Sequence, residues 1–214
     1  MNQLEFYRLI EQGALQGACR YYEYWFIYNS LPQQGKVLDL GSGRSMLPKA
    51  MQLKGLETIA VEIDPKCVEF QNNQGIECVA VKDEQLPFEK ETFDIVTAAS
   101  AIEHFEDDKT VVDEVLRVLK PGGLFILTIP VGPEYIKNRF KGKNHPLTRV
   151  YDVNKYLEVF LGDDFAEVNR KFYKVTSTEP RDYIPHESWG NRINTREVEG
   201  FGEDVGLCVL LAKL

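Results

Sequence analysis

The residues best able to do chemistry stand at the ends of short aliphatic runs. Val37-Leu38-Asp39-Leu40 leads straight into Gly41-Ser42-Gly43-Arg44-Ser45. That is a strand, a tight turn and the start of a helical pattern, the opening of a nucleotide-binding α/β sheet. Glu62 closes a second aliphatic run about 20 residues on, where an acid can meet ribose hydroxyls. His104 follows a later run, Phe93 to Ala99, on the side where the C-terminal ends of parallel strands face a ligand. Neutral imidazole there can take a proton from a hydroxyl or amine; the bland alternative is a histidine hydrogen-bonded within a loop. Lys137, Arg139, Lys141, Lys143, His145 and Arg149 form a basic run. It suits an anionic carboxylate or phosphate, or else a solvated loop.

The glycine turn discriminates among ligands. A phosphate loop would place a lysine on the phosphates, and this turn has none. A dinucleotide turn would carry a third glycine at position 46, where methionine stands. S-adenosylmethionine has no phosphate to cradle. It needs close backbone approach, which Gly41 and Gly43 permit, and an acid such as Glu62 at the end of the second strand.

The elements that must position these residues alternate. Strands are expected at Lys36–Leu40, Thr58–Glu62, Ile76–Val81, Phe93–Ala99 and Leu124–Ile129. Helices fall between them, one after an N-cap at Ser45, one opened by Asp64-Pro65, and one from about Asp107 to Lys120 that Pro121-Gly122-Gly123 breaks. Alternation of this kind implies a parallel, doubly wound sheet. Before the turn, Leu4, Phe6, Leu9, Ile10, Leu15 and Ala18 are spaced for amphipathic helix. Tyr21 to Tyr28 is a dense aromatic run, able to roof a substrate pocket or simply to pack on the sheet. After Pro130 the pattern changes to a basic connection, a helix from about Val153 to Leu161, a strand near Glu167–Thr176 and a last apolar strand, Val205–Leu214. Ser177 to Asp204 has no clear period; with Arg181, Tyr183, His186, Trp189 and Arg192 it is a candidate substrate lid.

Length fits one domain over residues 1–214: a helical segment (1–34), a cofactor-binding half (35–130) and a substrate-side half (131–214) with an inserted loop at about 177–204. The net charge of −8 disfavours nucleic acid as partner. No apolar run is long enough to span a membrane, no secretory signal is visible, and the four cysteines are scattered without metal-ligand spacing. A cytoplasmic protein with reduced thiols, no bound metal and no membrane partner is expected.

Val37–Ser45, Ala60-Val61-Glu62-Ile63-Asp64-Pro65, Leu86-Pro87-Phe88, Phe93-Asp94-Ile95-Val96 and Glu114 to Gly123 resemble, in order and spacing, the motifs of class I S-adenosylmethionine-dependent methyltransferases. The likeness is greatest to the small-molecule group with Leu-Pro-Phe and Arg-Val-Leu-Lys-Pro-Gly-Gly turns, and covers about residues 35 to 130. It implies a Rossmann-like sheet of seven strands with the last antiparallel, and methyl transfer to a small-molecule acceptor. It also implies cofactor contacts from Asp39, Gly41, Ser42, Gly43 and Glu62, and from the Ala99-Ser100-Ala101 segment, largely through backbone. The family's adenine-side acid falls on Lys82, which makes neighbouring Asp83 the candidate there; Ser45 replaces a customary glycine. His104 stands where this group often has histidine, a candidate proton acceptor. Lys82 and Ser45 also motivate an alternative, a methyltransferase-like binding module without catalysis. A nucleic-acid or protein methyltransferase is weaker still; for the former, Thr97-Ala98-Ala99-Ser100 lacks the prolines of the amino-methylating pattern.

Overall fold

The computed structural model describes residues 1–13, 19–82, 84–139, 148–175, 195–198, 200–201 and 205–214. Two helices come first, α1 (Gln3–Ile10) and α2 (Cys19–Ser30). Then β1 (Lys36–Leu40), α3 (Leu47–Lys54), β2 (Glu57–Glu62), α4 (Pro65–Asn73), β3 (Glu77–Ala80), β4 (Phe93–Ala99), α5 (Asp108–Val118) and β5 (Leu119–Val131) alternate. A short α6 (Val153–Tyr156) runs into a wider helical turn, Leu157–Leu161, followed by β6 (Phe165–Val175), β7 (Thr195–Val198) and β8 (Val205–Lys213).

The strands form one sheet in the order β3-β2-β1-β4-β5-β8-β6-β7. β1 to β5 pair in parallel, and β8 lies antiparallel between β5 and β6. The expected seven strands are β1 to β6 and β8. Four-residue β7 is an added edge strand, too short and polar to show in the sequence pattern.

Strand alternation sorts the core onto two faces. Leu38, Leu40, Val96, Ala98, Phe125 and Leu127 point to the face covered by α5 and α6. Val37, Ile95, Ile126 and Cys208 point to the other, under Phe6 and Ile10 of α1, Tyr24, Ile27 and Tyr28 of α2, and Leu47, Ala50 and Met51 of α3. Helix starts are capped locally. Asn2 and Glu5 form a reciprocal capping box, Asp64 accepts from Lys66 N–H at 2.9 Å ahead of Pro65, and Asp107 accepts from Thr110 N–H at 3.1 Å.

Two boundaries differ from the sequence reading. The N-cap of α3 is Met46 rather than Ser45, although Ser45 Oγ still accepts from Leu47 N–H at 3.2 Å. Pro121-Gly122-Gly123 lies inside β5, not ahead of it. The pairing with β4 shifts register between Phe93 and Ile95, so an irregularity absorbs the Pro-Gly-Gly without ending the strand. Among the described residues, no helix is long and apolar enough to cross a membrane.

Candidate functional site

Parallel strands β2, β1 and β4 end together, and a cavity of about 690 Å³ opens beyond them. That volume falls within the roughly 300–1,000 Å³ of small-molecule sites. Its floor is the glycine turn. Gly41 has φ +63°, and an added Cβ would stand 2.9 Å from Ala101 Cβ, so both the conformation and the neighbour exclude a side chain. Gly43 has φ +53° and faces open space. Its N–H donates to Glu62 Oε2 at 2.7 Å, while Ile63 N–H donates to Oε1 at 2.7 Å. Backbone donors thus fix Glu62 at the cavity wall.

Two buried polar residues brace the turn from behind. Gln71 of α4, fully buried, donates to the carbonyls of Gly43 (3.1 Å) and Ser45 (2.8 Å). Asp39 accepts from Thr97 Oγ1 at 2.6 Å across the β1–β4 pair. The sequence reading placed Asp39 against the cofactor, but its side chain lies under the turn and does not line the cavity. Burial there pushes its pKa up to about 7, against the hydrogen bond from Thr97.

Gly41, Ser42, Gly43, Glu62, Ser100 and His104 all line the one cavity. Lys82 and Glu84 line it as well; Asp83 lies outside the described residues. Val61, Ile63, Val81 and Leu86 supply apolar wall on that side. The turn, the fixed acid and this apolar flank suit an adenosine-bearing ligand.

The opposite end is built around Ser100. Its φ of +48° is unusual for a residue with a side chain. Its N–H donates to Thr128 O at 3.0 Å, and its Oγ donates to Glu23 Oε1 at 3.3 Å. Glu23 is buried (2% exposed) within the aromatic run, accepts from Tyr173 OH of β6, and pairs with Arg20 at 2.5 Å. Tyr173 reaches Glu23 by lying over Gly206 of β8, where a Cβ would sit 2.0 Å from the ring. From α2, only Arg20 and Tyr24 touch the cavity. Phe6, Trp25 and Tyr28 stack on one another instead, so most of the aromatic run packs and does not roof. Glu23 and Tyr173 escaped the sequence reading; a lone acid between Tyr22 and Tyr24 was the available signal.

His104 sits in a single helical turn, Ile102–His104, after β4. Its Nδ1 is 3.4 Å from Thr148 Oγ1 and its Nε2 is 3.9 Å from Glu103 Oε1. Glu103 is 3% exposed, and burial drives its pKa up to about 8.

The basic run divides. Lys137 and Arg139 are exposed; Lys141, Lys143 and His145 lie outside the described residues, as do Asp83 and the expected lid residues Arg181, Tyr183, His186, Trp189 and Arg192. Arg149 corrects the reading of that run as an anion site: it is 2% exposed and fully engaged. Its backbone N–H donates to Glu103 O at 3.1 Å, its guanidinium donates to the carbonyls of Phe105 and Glu106, and its Nε lies 3.3 Å from Asp108 Oδ2. Arg149 therefore clamps the loop that carries His104.

Comparison with known proteins agrees with this geometry. A family model described as a methyltransferase domain matches residues 38–127. The uncharacterized methyltransferase YcgJ of Bacillus subtilis is 37% identical over 175 residues, 75% of this chain and 66% of its own length. A ubiquinone biosynthesis O-methyltransferase of Xylella fastidiosa is 28% identical over 130 residues, so the chain spans about half (53%) of that relative. A SAM-dependent methyltransferase structure from Thermotoga maritima superposes with a TM-score of 0.63 at 18% identity, covering 100% of this chain and 96% of that one.

Proposed function

Since the chain belongs to the S-adenosylmethionine-dependent methyltransferases, we propose that it passes a methyl group to a small-molecule acceptor by in-line displacement. The observation that carries this reading is one cavity joining the Glu62-braced glycine turn to Ser100 and His104. S-adenosylmethionine supplies a methyl already activated on sulfur. The chain must then place an acceptor atom about 3 Å from it, on the line away from sulfur.

Glu62, held by two backbone donors, presents its carboxylate to ribose hydroxyls. Gly41 and Gly43 let the aminoacyl chain approach backbone, and Ile63, Val81 and Leu86 flank the adenine. His104 is the cavity residue suited to take the acceptor's proton, a contribution of about 10²–10⁴-fold. Two observations favour a small acceptor over nucleic acid: the net charge of −8, and O-methyltransferases of ubiquinone biosynthesis among the relatives.

Titration calorimetry with S-adenosylmethionine and S-adenosylhomocysteine tests the cofactor, and labelled methyl with a panel of hydroxyl, amine and acidic-carbon acceptors tests transfer. Binding of both ligands, lost in Gly41→Val, is the expected result. Absence of binding removes the reading. Binding without transfer to any acceptor would favour a module that holds the cofactor without catalysis.

A further inference from the structure

Glu103 is a buried acid that the proposed transfer does not use. Its Oε2 meets no hydrogen-bond partner among the described residues, although the residue is only 3% exposed. Leaving a buried carboxyl oxygen unmatched costs free energy, so the arrangement calls for an explanation. The carboxyl does not itself line the cavity; it lies behind Ser100 and His104, which do. Arg149 N–H holds its backbone carbonyl at 3.1 Å, which fixes the turn that carries it.

The groups facing Glu103 come from several elements. Arg20 and Glu23 approach from α2, the Ser100 hydroxyl from the end of β4, His104 from its own turn, and Tyr151 from the segment that follows Arg149. Arg20 offsets its charge in part, but burial outweighs that, and neither nearby guanidinium bonds to its carboxyl. Arg20 pairs with Glu23 at 2.5 Å, and Arg149 Nε lies 3.3 Å from Asp108. Two carboxyls around one serine hydroxyl cannot both ionise cheaply in so dry a place. Consistently, burial raises the Glu103 pKa to about 8.

A sulfonium is a cation with no N–H or O–H to donate. A nearby carboxylate stabilises it by charge alone, and the thioether left after methyl transfer has no charge to stabilise. The geometry points to Glu103 as a charge-reading residue, which keeps its proton in the ligand-free protein and releases it to solvent when a sulfonium enters the cavity. S-adenosylmethionine is thereby held in preference to S-adenosylhomocysteine, and product release returns the proton. The two ligands share carboxylate and adenosine, and both carry an ammonium up to about pH 7; above that the sulfonium makes the S-adenosylmethionine ammonium the more acidic, so the comparison belongs at about pH 6–7. The inference rests on the methyl-donor reading above.

Calorimetry between about pH 6 and pH 7, in buffers of different ionisation enthalpy, counts the protons exchanged as each ligand binds. S-adenosylmethionine should release up to about one proton more than S-adenosylhomocysteine in the parent, and the two counts should coincide in Glu103→Gln. Equal counts in the parent, or a difference that survives in Glu103→Gln, would overturn the assignment. A second measurement needs no variant. From about pH 6 to about pH 7, where both ligands keep their ammonium, the parent's preference for S-adenosylmethionine should rise by at most about tenfold, because Glu103 is still protonated in the free protein over that range. A preference flat in pH would likewise overturn it. Failure of both ligands to bind the parent would instead remove the methyl-donor reading itself.

Discussion

The two ends of the cavity are built by different means. At the glycine turn the working groups are mainly backbone. Gly43 N–H holds Glu62 from 19 residues away, and Gln71 reaches the turn's carbonyls from at most 28. At the Ser100 end the working groups are side chains from distant parts of the chain. Ser100 meets Glu23 across 77 residues, and Tyr173 meets Glu23 across 150. The first end is specified by short-range geometry, which requires glycine at set positions. The second depends on the whole sheet being in register.

Substitutions can break this contrast or sharpen it. The largest effect is expected from Arg149→Met. It removes the cation from buried Asp108, which keeps only Tyr151 OH and Lys109 N–H, and frees the part-buried carbonyls of Phe105 and Glu106. A loss of about 3–5 kcal/mol in urea unfolding is expected. A loss below about 1 kcal/mol would mean that the Ser100 end is not held from Arg149.

Gly41→Val comes next. It should weaken S-adenosylhomocysteine binding by roughly a hundredfold or more, about 2.7 kcal/mol, because backbone conformation and Ala101 both oppose a side chain. Retained affinity would show that the turn tolerates another path. Tyr173→Phe removes only the hydroxyl donated to Glu23 and should cost about 1 kcal/mol of stability. Cofactor binding should change less than in Gly41→Val, and an equal loss would erase the distinction between the two ends.

A pH slope tests the floor of the glycine turn. Asp39 has a folded pKa raised from 3.8 to about 7, so its contribution to stability is complete below 3.8 and is lost as pH rises through about 7. Asp39→Asn should therefore lose less melting temperature than the parent between about pH 5 and pH 8, a difference of a few degrees. Parallel curves would place the Asp39 proton elsewhere.

The same contrast decides what could be read from sequence. Val37 to Gly43 combines strand alternation with two obligatory glycines, and Glu62 ends a strand of its own; each is a local pattern. So were the strands themselves, whose alternation matches the two core faces. Ser45 and the Pro-Gly-Gly segment were misplaced because a cap and a bulge depend on pairing that local sequence does not contain. Arg149 looked like part of a solvated basic run because composition says nothing of burial. Its partners are three carbonyls and Asp108, more than 40 residues earlier. Tyr173 carries no pattern at all; its role depends on Gly206, which belongs to another strand.

The place of β8 in the sheet has a consequence for how the protein is made. β6 and β7 precede β8 in the chain, yet β8 lies between β5 and β6. As the chain leaves the ribosome, β6 and β7 emerge with no sheet edge to join until Val205–Lys213 follows. The parallel half through β5 can assemble earlier, glycine turn included, because it needs none of them. Tyr173 can cross to Glu23 only once Gly206 is beneath it. Vectorial synthesis would thus complete the turn first and the Ser100 end last, leaving a nascent chain with half a binding site and an open strand edge on β5.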